Sequence, residues 1–420
     1  MKKGEKTACL ILGAGKGTRM RSSLPKVLHR IQGKTMIEHV LELVAPFGFI
    51  PTVVVTGYKG AEVAKAAKGV KIIRQKKLLG SGHAVISAKA AFAPLKGDLL
   101  VMCGDTPLVR RDTLRRLLKE HRSNGAACTL VTAKLKDPAG YGRILRDEND
   151  DIEGILEETD ILAGNSATDE INVGAYCFDI VHLFEALKSV KINKKKKEYY
   201  LTDVIDLLRK RGLKIESVCT QDEKEALGVN SRKDLSSAEE VMRERALKRS
   251  MDNGVTVVDP RNTYIDKSCE IGRDTVIMPF TMIEGDVKIG RDCTVGPFAR
   301  LRSGTRLDDG AEIGNFVEVT RSRIGSGTKI KHHSYIGDAF VGKNANIGAG
   351  TITANYDGKK KNRTVIKDGA FIGSGTIFVA PVTVGRKAVT GAGSVLTKNT
   401  KVPDSSVVLG VPARILKEDR

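Results

Sequence analysis

From Ile265 to Ile313 the chain reads IDKSCE IGRDTV IMPFTM IEGDVK IGRDCT VGPFAR LRSGTR LDDGAE I. An aliphatic residue opens every block: Ile265, Ile271, Ile277, Ile283, Ile289, Val295, Leu301, Leu307 and Ile313. A helix repeats every 3.6 residues and a free strand every two, so neither produces a period of six. That period puts every sixth side chain on one central axis, as in a solenoid. The register runs on through Val319 and, after small slips, through Ile324, Ile330, Ile336, Val341 and Ile347. It resumes at Ile366, Ile372, Phe378, Val384, Thr390, Leu396, Val402 and Val408. Between the two runs lies an insertion, Thr353–Lys361, and loops extruded from a solenoid are common binding elements.

Hexapeptide periodicity is a signature of the parallel β-helix. The segment resembles the family in which three hexapeptides make a triangular coil wound left-handed, against the usual crossover hand. Upstream the pattern differs. Ala8–Leu12, Thr52–Thr56 and Asp98–Cys103 read as strands, and Met36–Val44 and Arg111–Arg122 as helices. Strands alternating with helices predict an α/β Rossmann-like domain with a mostly parallel sheet. Ser231–Arg249 reads as a linking helix with Ser231 as its N-cap. The expected organisation is a nucleotide-handling domain over 1–230, a linking helix over 231–250 and a left-handed β-helix over 251–420.

Composition bounds the function. The 420 residues fit two or three domains, and 41% hydrophobic with 29% charged excludes a disordered chain. No apolar run reaches the roughly 18 residues of a membrane span. Seven scattered cysteines, without a Cys-x-x-Cys pair, argue against a disulfide framework or a Cys-rich zinc site. Met1–Lys6 is polar and lacks the pattern of a secretory signal, so a cytoplasmic protein is expected. A net charge of +20 predicts anionic partners. The Lys194–Lys197 run comes with no nucleic-acid motif or stacking aromatics, so it reads as a solvated loop and no nucleic-acid partner is expected.

Leu12-Gly13-Ala14-Gly15-Lys16-Gly17-Thr18-Arg19-Met20 follows a predicted strand. Its spacing is neither that of a P-loop nor that of the dinucleotide fingerprint. Successive backbone N–H groups in such a turn cradle phosphates. Lys16, Arg19 and Lys26 add three cations suited to a triphosphate whose pyrophosphate must leave. With Leu24-Pro25-Lys26, the stretch resembles the signature of sugar-nucleotide pyrophosphorylases.

Joined to a hexapeptide solenoid, the whole chain resembles the bifunctional N-acetylglucosamine-1-phosphate uridyltransferase/glucosamine-1-phosphate acetyltransferase family. The resemblance implies that Leu12, Gly13, Ala14, Gly15, Lys26, Gln75, Gly80 and Ser81 hold UTP. It places Gly142, Glu157 and Asn172 at the sugar, and Asp105 and Asn230 on Mg²⁺, with Lys26 and Arg19 neutralising the leaving group. A hard cation prefers such oxygen donors. In the solenoid it implies His332 as general base, with Arg302, Tyr335 and Asn346 on the acetyl acceptor. Ala349, Asn355, Tyr356, Ser374 and Ala392 then meet acetyl-CoA. A histidine side chain, with an ordinary pKa near 6.5, suits deprotonating an ammonium as the amine attacks a thioester. The family's solenoids also imply a homotrimer.

Four positions depart from that pattern. Cys103 stands where the family has Tyr, Thr320 where it has Lys, and Gly410 where it has Arg. His333 falls at a usually apolar position. Arg321 is expected to face away from Thr320, and the Lys359–Lys361 run to meet cofactor phosphates or solvent. The alternative that Thr320 and Gly410 support is a single-activity sugar-1-phosphate nucleotidyltransferase. Its solenoid would then be a trimerisation scaffold or act on another amino sugar.

Overall fold

The computed structural model describes residues 7–161 and 168–416, so Met1–Lys6 lies outside it. The chain divides into two compact units between Val241 and Met242.

The first unit is built on strands β1 (Ala8–Gly13), β2 (Thr52–Thr56), β3 (Lys71–Arg74), β4 (Asp98–Cys103), β5 (Cys128–Lys134), β6 (Glu170–Asp179) and β7 (Ile215–Cys219). They lie in the order β7-β5-β6-β4-β1-β2-β3. Because the sheet is covered on both faces, its strands are apolar runs rather than alternating ones. Leu10, Val53, Val55, Leu99 and Val101 pack on one face; Cys9, Ile11, Val54, Leu100 and Met102 pack on the other. The sheet is not parallel throughout: β6 runs antiparallel to both β4 and β5. After β5 the chain forms a hairpin, Arg143–Arg146 with Ile152–Leu156, where a helical crossover would have kept the direction.

Helix α1 (Met36–Val44) starts with a capping box between Thr35 and Glu38. Helix α2 (Gly80–Ser87) follows β3, and α3 (Arg111–Asn124) ends on Gly125 at φ 59°. Helix α4 (Arg232–Asp252) begins where Ser231 Oγ accepts the N–H of Asp234 at 3.2 Å. Asp234 Oδ2 in return accepts the N–H groups of Ser231 at 2.8 Å and Asn230 at 3.0 Å, which pins Asn230.

The second unit is a left-handed β-helix of three parallel sheets. The mostly aliphatic column from Ile265 to Val408 fills its axis, buried except for the half-buried Ile271. Two residues before most core positions the side chain is small and buried, as at Thr275, Thr281, Cys293, Ala299, Thr305 and Ala311. The threonine hydroxyls donate to carbonyls of the next coil: Thr275 to Gly290 at 2.9 Å, Thr305 to Val319 at 3.0 Å, Thr328 to Gly342 at 2.6 Å. At one corner Phe280, Phe298, Phe316 and His333 stack, with centroids 4.9–5.1 Å apart. The last strand, Ala413–Ile415, turns back antiparallel on Val407–Gly410 and covers the open edge of the final coil. Among the described residues no helix is long and apolar enough to cross a membrane.

Candidate active sites

In the first unit a cavity of about 860 Å³ opens at the carboxyl ends of β1 and β4, where open α/β sheets bind ligands. It brings together Leu12, Ala14, Gly15, Arg19, Lys26, Gln75, Gly80, Ser81, Asp105, Glu157 and Asn230. Gly13, Gly142 and Asn172 do not line it. Gly13 lies against Val55, and Gly142 backs Ile155 and Glu157. Asn172 Nδ2 donates to the Tyr176 hydroxyl at 2.6 Å. Lys196, Glu198 and Tyr200 do line the cavity. Lys196 therefore belongs to the cleft rather than to a purely solvated loop; its only sequence signal was the charge run itself.

Gly17 takes φ 69°, and a Cβ there would sit 2.6 Å from Lys26 Cβ, so glycine lets the loop close over that lysine. Lys26 Nζ contacts Asp105 Oδ2 and lies 3.0 Å from Asn230 Oδ1. Arg19 Nη2 donates to the same Asn230 oxygen at 2.8 Å. The N–H of Val229 donates to the Asp105 carbonyl at 2.9 Å, tying the Asn230 segment to the end of β4. Two hard oxygen donors thus converge on one point, already matched to positive charge by the Lys26 ammonium. That donor set fits Mg²⁺.

The two ends of the cleft are equally well tied down by hydrogen bonds. Gln75 is buried, and its Nε2 lies 3.1 Å from the Gly80 carbonyl and 2.9 Å from His83 Nδ1. Ser81 Oγ accepts the N–H of Leu201 at 3.0 Å. Glu157 accepts from Thr202 Oγ1 at 2.6 Å, and burial raises its carboxyl above the ordinary range. Burial, with Glu157, Asp160 and Asp206 nearby, pushes Asp203 up to about 6. Cys103 lines the cleft and packs against Gly174, and burial lifts its thiol to about 12.

In the solenoid, His332 is exposed at the end of strand Lys329–His332, with Nδ1 3.0 Å from Asn315 Oδ1. Asn315 stands one coil earlier in the same column. Stacking the coils by register would have found it, but reading the motif alone did not. The column continues upward through Ala349, Ser374, Ala392 and Gly410, each two residues past a core position. The neighbouring corner column passes from His333 to Gly350, Gly375 and Gly393. Small residues therefore leave a shallow track over successive coils spaced about 4.8 Å apart. Tyr335 is half-buried, Asn346 faces out on the first sheet, and Tyr356 is exposed on the insertion. Asn355 is buried and donates to Asp338, and its Nδ2 lies 3.5 Å from the Tyr335 hydroxyl.

Arg302 is tied up by acids: Nη1 lies 3.0 Å from Glu318 and Nε 3.9 Å from Glu284. Thr320 is buried. Arg321 does not turn away from it as alternation predicts. Its Nη1 donates to Thr320 Oγ1 at 3.0 Å. The reason is the corner: Arg321 has φ 47°, so the two-residue alternation of an extended strand lapses there.

Residues 9–168 match the MobA-like NTP transferase domain. Residues 268–303 match the bacterial transferase hexapeptide, six repeats, and 363–398 the hexapeptide repeat of succinyl-transferase. Fold and sites together define an enzyme that joins a nucleotidyltransferase domain to an acyltransferase-type hexapeptide β-helix. The chain is 45% identical over 443 residues to the bifunctional protein GlmU of Thermotoga maritima, covering 97% of both chains. It is 41% identical over 444 residues to that of Shouchella clausii, covering 98% of this chain and 97% of the relative. With the Geobacillus sp. strain WCH70 protein it shares 43% over 449 residues, covering 99% and 97%. The chain belongs to the bifunctional GlmU family.

Proposed function

We propose that this enzyme makes UDP-N-acetylglucosamine in two steps, acetylating glucosamine-1-phosphate on the solenoid and then uridylylating the product in the N-terminal cleft. The convergence of Lys26, Arg19, Asp105 and Asn230 on one point carries the second step. A phosphate oxygen of N-acetylglucosamine-1-phosphate attacks the α-phosphorus of UTP, the bond to the β-phosphate breaks, and pyrophosphate leaves. The nucleophile is already an anion, so the protein supplies position and charge rather than a base. Lys26 and Arg19 neutralise the departing phosphates, while the glycine-rich loop offers its N–H groups. Asp105 and Asn230 would hold Mg²⁺, which when bound neutralises phosphate charge.

For acetyl transfer the support is the His332–Asn315 pair beneath the small-residue track. With Nδ1–H donating to Asn315, Nε2 keeps its lone pair and takes a proton from the substrate ammonium. The freed amine adds to the thioester carbonyl. Collapse breaks the C–S bond, the nitrogen releases its second proton to solvent as the amide forms, and the coenzyme A thiolate recovers the first proton from the imidazolium. The track suits a slim pantetheine arm, and Tyr335 and Asn346 suit the sugar.

The proposal includes a cytoplasmic homotrimer. It draws on seven free cysteines and on the half-exposed rings of Phe280, Phe298 and Phe316, a surface suited to subunit contact. His332→Ala is expected to abolish thiol release from acetyl-CoA with glucosamine-1-phosphate while pyrophosphate release continues. Undiminished thiol release in that variant would defeat the assignment of the base.

A further inference from the structure

Asn230 belongs to no strand or helix; it stands in the loop that leads into helix α4. A ligand on a loop swings unless it is tied, and Mg²⁺ tolerates little error in the position of its oxygens. Three hydrogen bonds tie this one. Asp234 Oδ2 accepts its backbone N–H at 3.0 Å. The N–H of Val229 donates to the Asp105 carbonyl at 2.9 Å. The amide Nδ2 donates to the Gly228 carbonyl at 3.3 Å, which turns Oδ1 toward Arg19 and Lys26. The Tyr141 phenol, from the loop before Gly142, is hydrogen-bonded to the Gly228 backbone.

Asp234 makes two kinds of bond that can be separated. Its own N–H goes to Ser231 Oγ at 3.2 Å, which caps the helix. Its carboxylate reaches back past that cap to the N–H groups of Ser231 and Asn230. A serine cap is enough to start a helix, so the second reach needs another reason. The same helix also grips the Lys26 side of the cleft. Arg232 Nη1 lies 3.1 Å from His29 Nδ1, just after the turn Lys26–Leu28. Glu239 accepts the Gln32 N–H at 2.8 Å and its Nε2 at 3.0 Å. The start of α4 therefore holds the Asn230 loop and the segment after Lys26 together.

We propose that Asp234 is a positioning residue for uridylyl transfer, fixing the Asn230 amide oxygen where it holds Mg²⁺ beside Asp105. Asp234 does not line the cavity among the described residues, so it acts through Asn230. The proposal rests on the reading of Asp105 and Asn230 as the magnesium ligands.

The test is calorimetry of UDP-N-acetylglucosamine binding to the full chain, once with magnesium and once with a chelator. The wild type binds more tightly with magnesium. Asp234→Ala loses about tenfold or more of that gain, the usual cost of freeing a ligand from its support, while its affinity in chelator stays at the wild-type value. Asp234→Asn keeps an acceptor oxygen and recovers most of the gain. Ser231→Ala removes the helix cap without touching the Asn230 N–H, and it keeps the gain. The magnesium needed for half-maximal pyrophosphate release rises in Asp234→Ala alone of these three variants, and thiol release from acetyl-CoA is unchanged in all of them. Equal gains in wild type and Asp234→Ala overturn the proposal, and so does a loss in Ser231→Ala as large as that in Asp234→Ala. Asn230→Ala is the check on the reading beneath it. If that variant kept the whole gain, or the wild type showed none, the magnesium-ligand reading would fall and the proposal with it.

Discussion

In the proposed acetyl transfer His332 accepts a proton through a nitrogen that keeps its lone pair, and Asn315 Oδ1, 3.0 Å from Nδ1, leaves that role to Nε2. Asn315→Ala is expected to lower kcat for acetyl transfer by about 10- to 100-fold, a usual cost of losing a residue that orients an imidazole. Asn315→Asp keeps an acceptor oxygen but adds a charge that favours imidazolium, so the acid limb of the pH–rate profile moves upward. A purely structural role for Asn315 would leave that limb in place. Asp203 gives a second test at this scale. Its carboxyl rises from an ordinary 3.8 to about 6 in the fold. Below the lower value it is protonated in folded and unfolded chains alike. As pH climbs toward the higher one, the unfolded chain releases the proton first and folding is progressively penalised. Asp203→Asn should therefore raise Tm by a few degrees at pH 8, a gain that fades as the pH approaches 4. Identical melting of variant and wild type at pH 8 would show that Asp203 carries no such penalty. The motif residues Lys26, Asp105 and His332 were legible in the sequence because their neighbours in the chain mark them. Asn315 and the back-folded Arg321 were not, since each acquires its partner from another coil or from a corner geometry that alternation does not describe.

Among the elements, the solenoid coils were the most legible, because a six-residue period leaves one side chain per face on the axis. The small buried residue two places before most core positions was present in the sequence too, but its reason is a corner too tight for a larger side chain. Ile336 is fully buried in this stack. Ile336→Ala is expected to cost about 3 kcal/mol in chemical denaturation, from lost burial plus the cavity it leaves. A loss below about 1 kcal/mol would mean that the coils collapse to fill the gap. Gly314 is a sterner constraint, because a Cβ there would lie 2.0 Å from the Lys331 carbonyl oxygen and would push apart the coils that carry Asn315 and His332. The direction of β6 was hidden. A short hairpin and a helical crossover both fit a gap of polar residues, and only strand pairing decides between them. The closing hairpin after Val408 was hidden for the same reason.

For the whole molecule, the pairing of a phosphate-cradling α/β unit with a solenoid identified the family more firmly than either alone. The α/β unit alone leaves the sugar open, and the solenoid alone leaves the acyl acceptor open. A homotrimer of 45.4 kDa chains should scatter light as a particle of about 136 kDa, three times the chain mass, and a mass near 45 kDa would contradict the trimer. Chelating divalent metal should stop pyrophosphate release and spare thiol release, because the cleft gathers hard oxygen donors around one cation position. One chain runs two chemistries in sequence at separate sites. The most direct measurement supplies glucosamine-1-phosphate, acetyl-CoA, UTP and magnesium to the wild type, Asp105→Ala and His332→Ala, and weighs the products by mass spectrometry. The expected result is UDP-N-acetylglucosamine from the wild type, N-acetylglucosamine-1-phosphate accumulating with Asp105→Ala, and unacetylated sugar phosphate with His332→Ala. Sugar nucleotide formed by the wild type without any acetylated intermediate, or lost acetylation in Asp105→Ala, would contradict it.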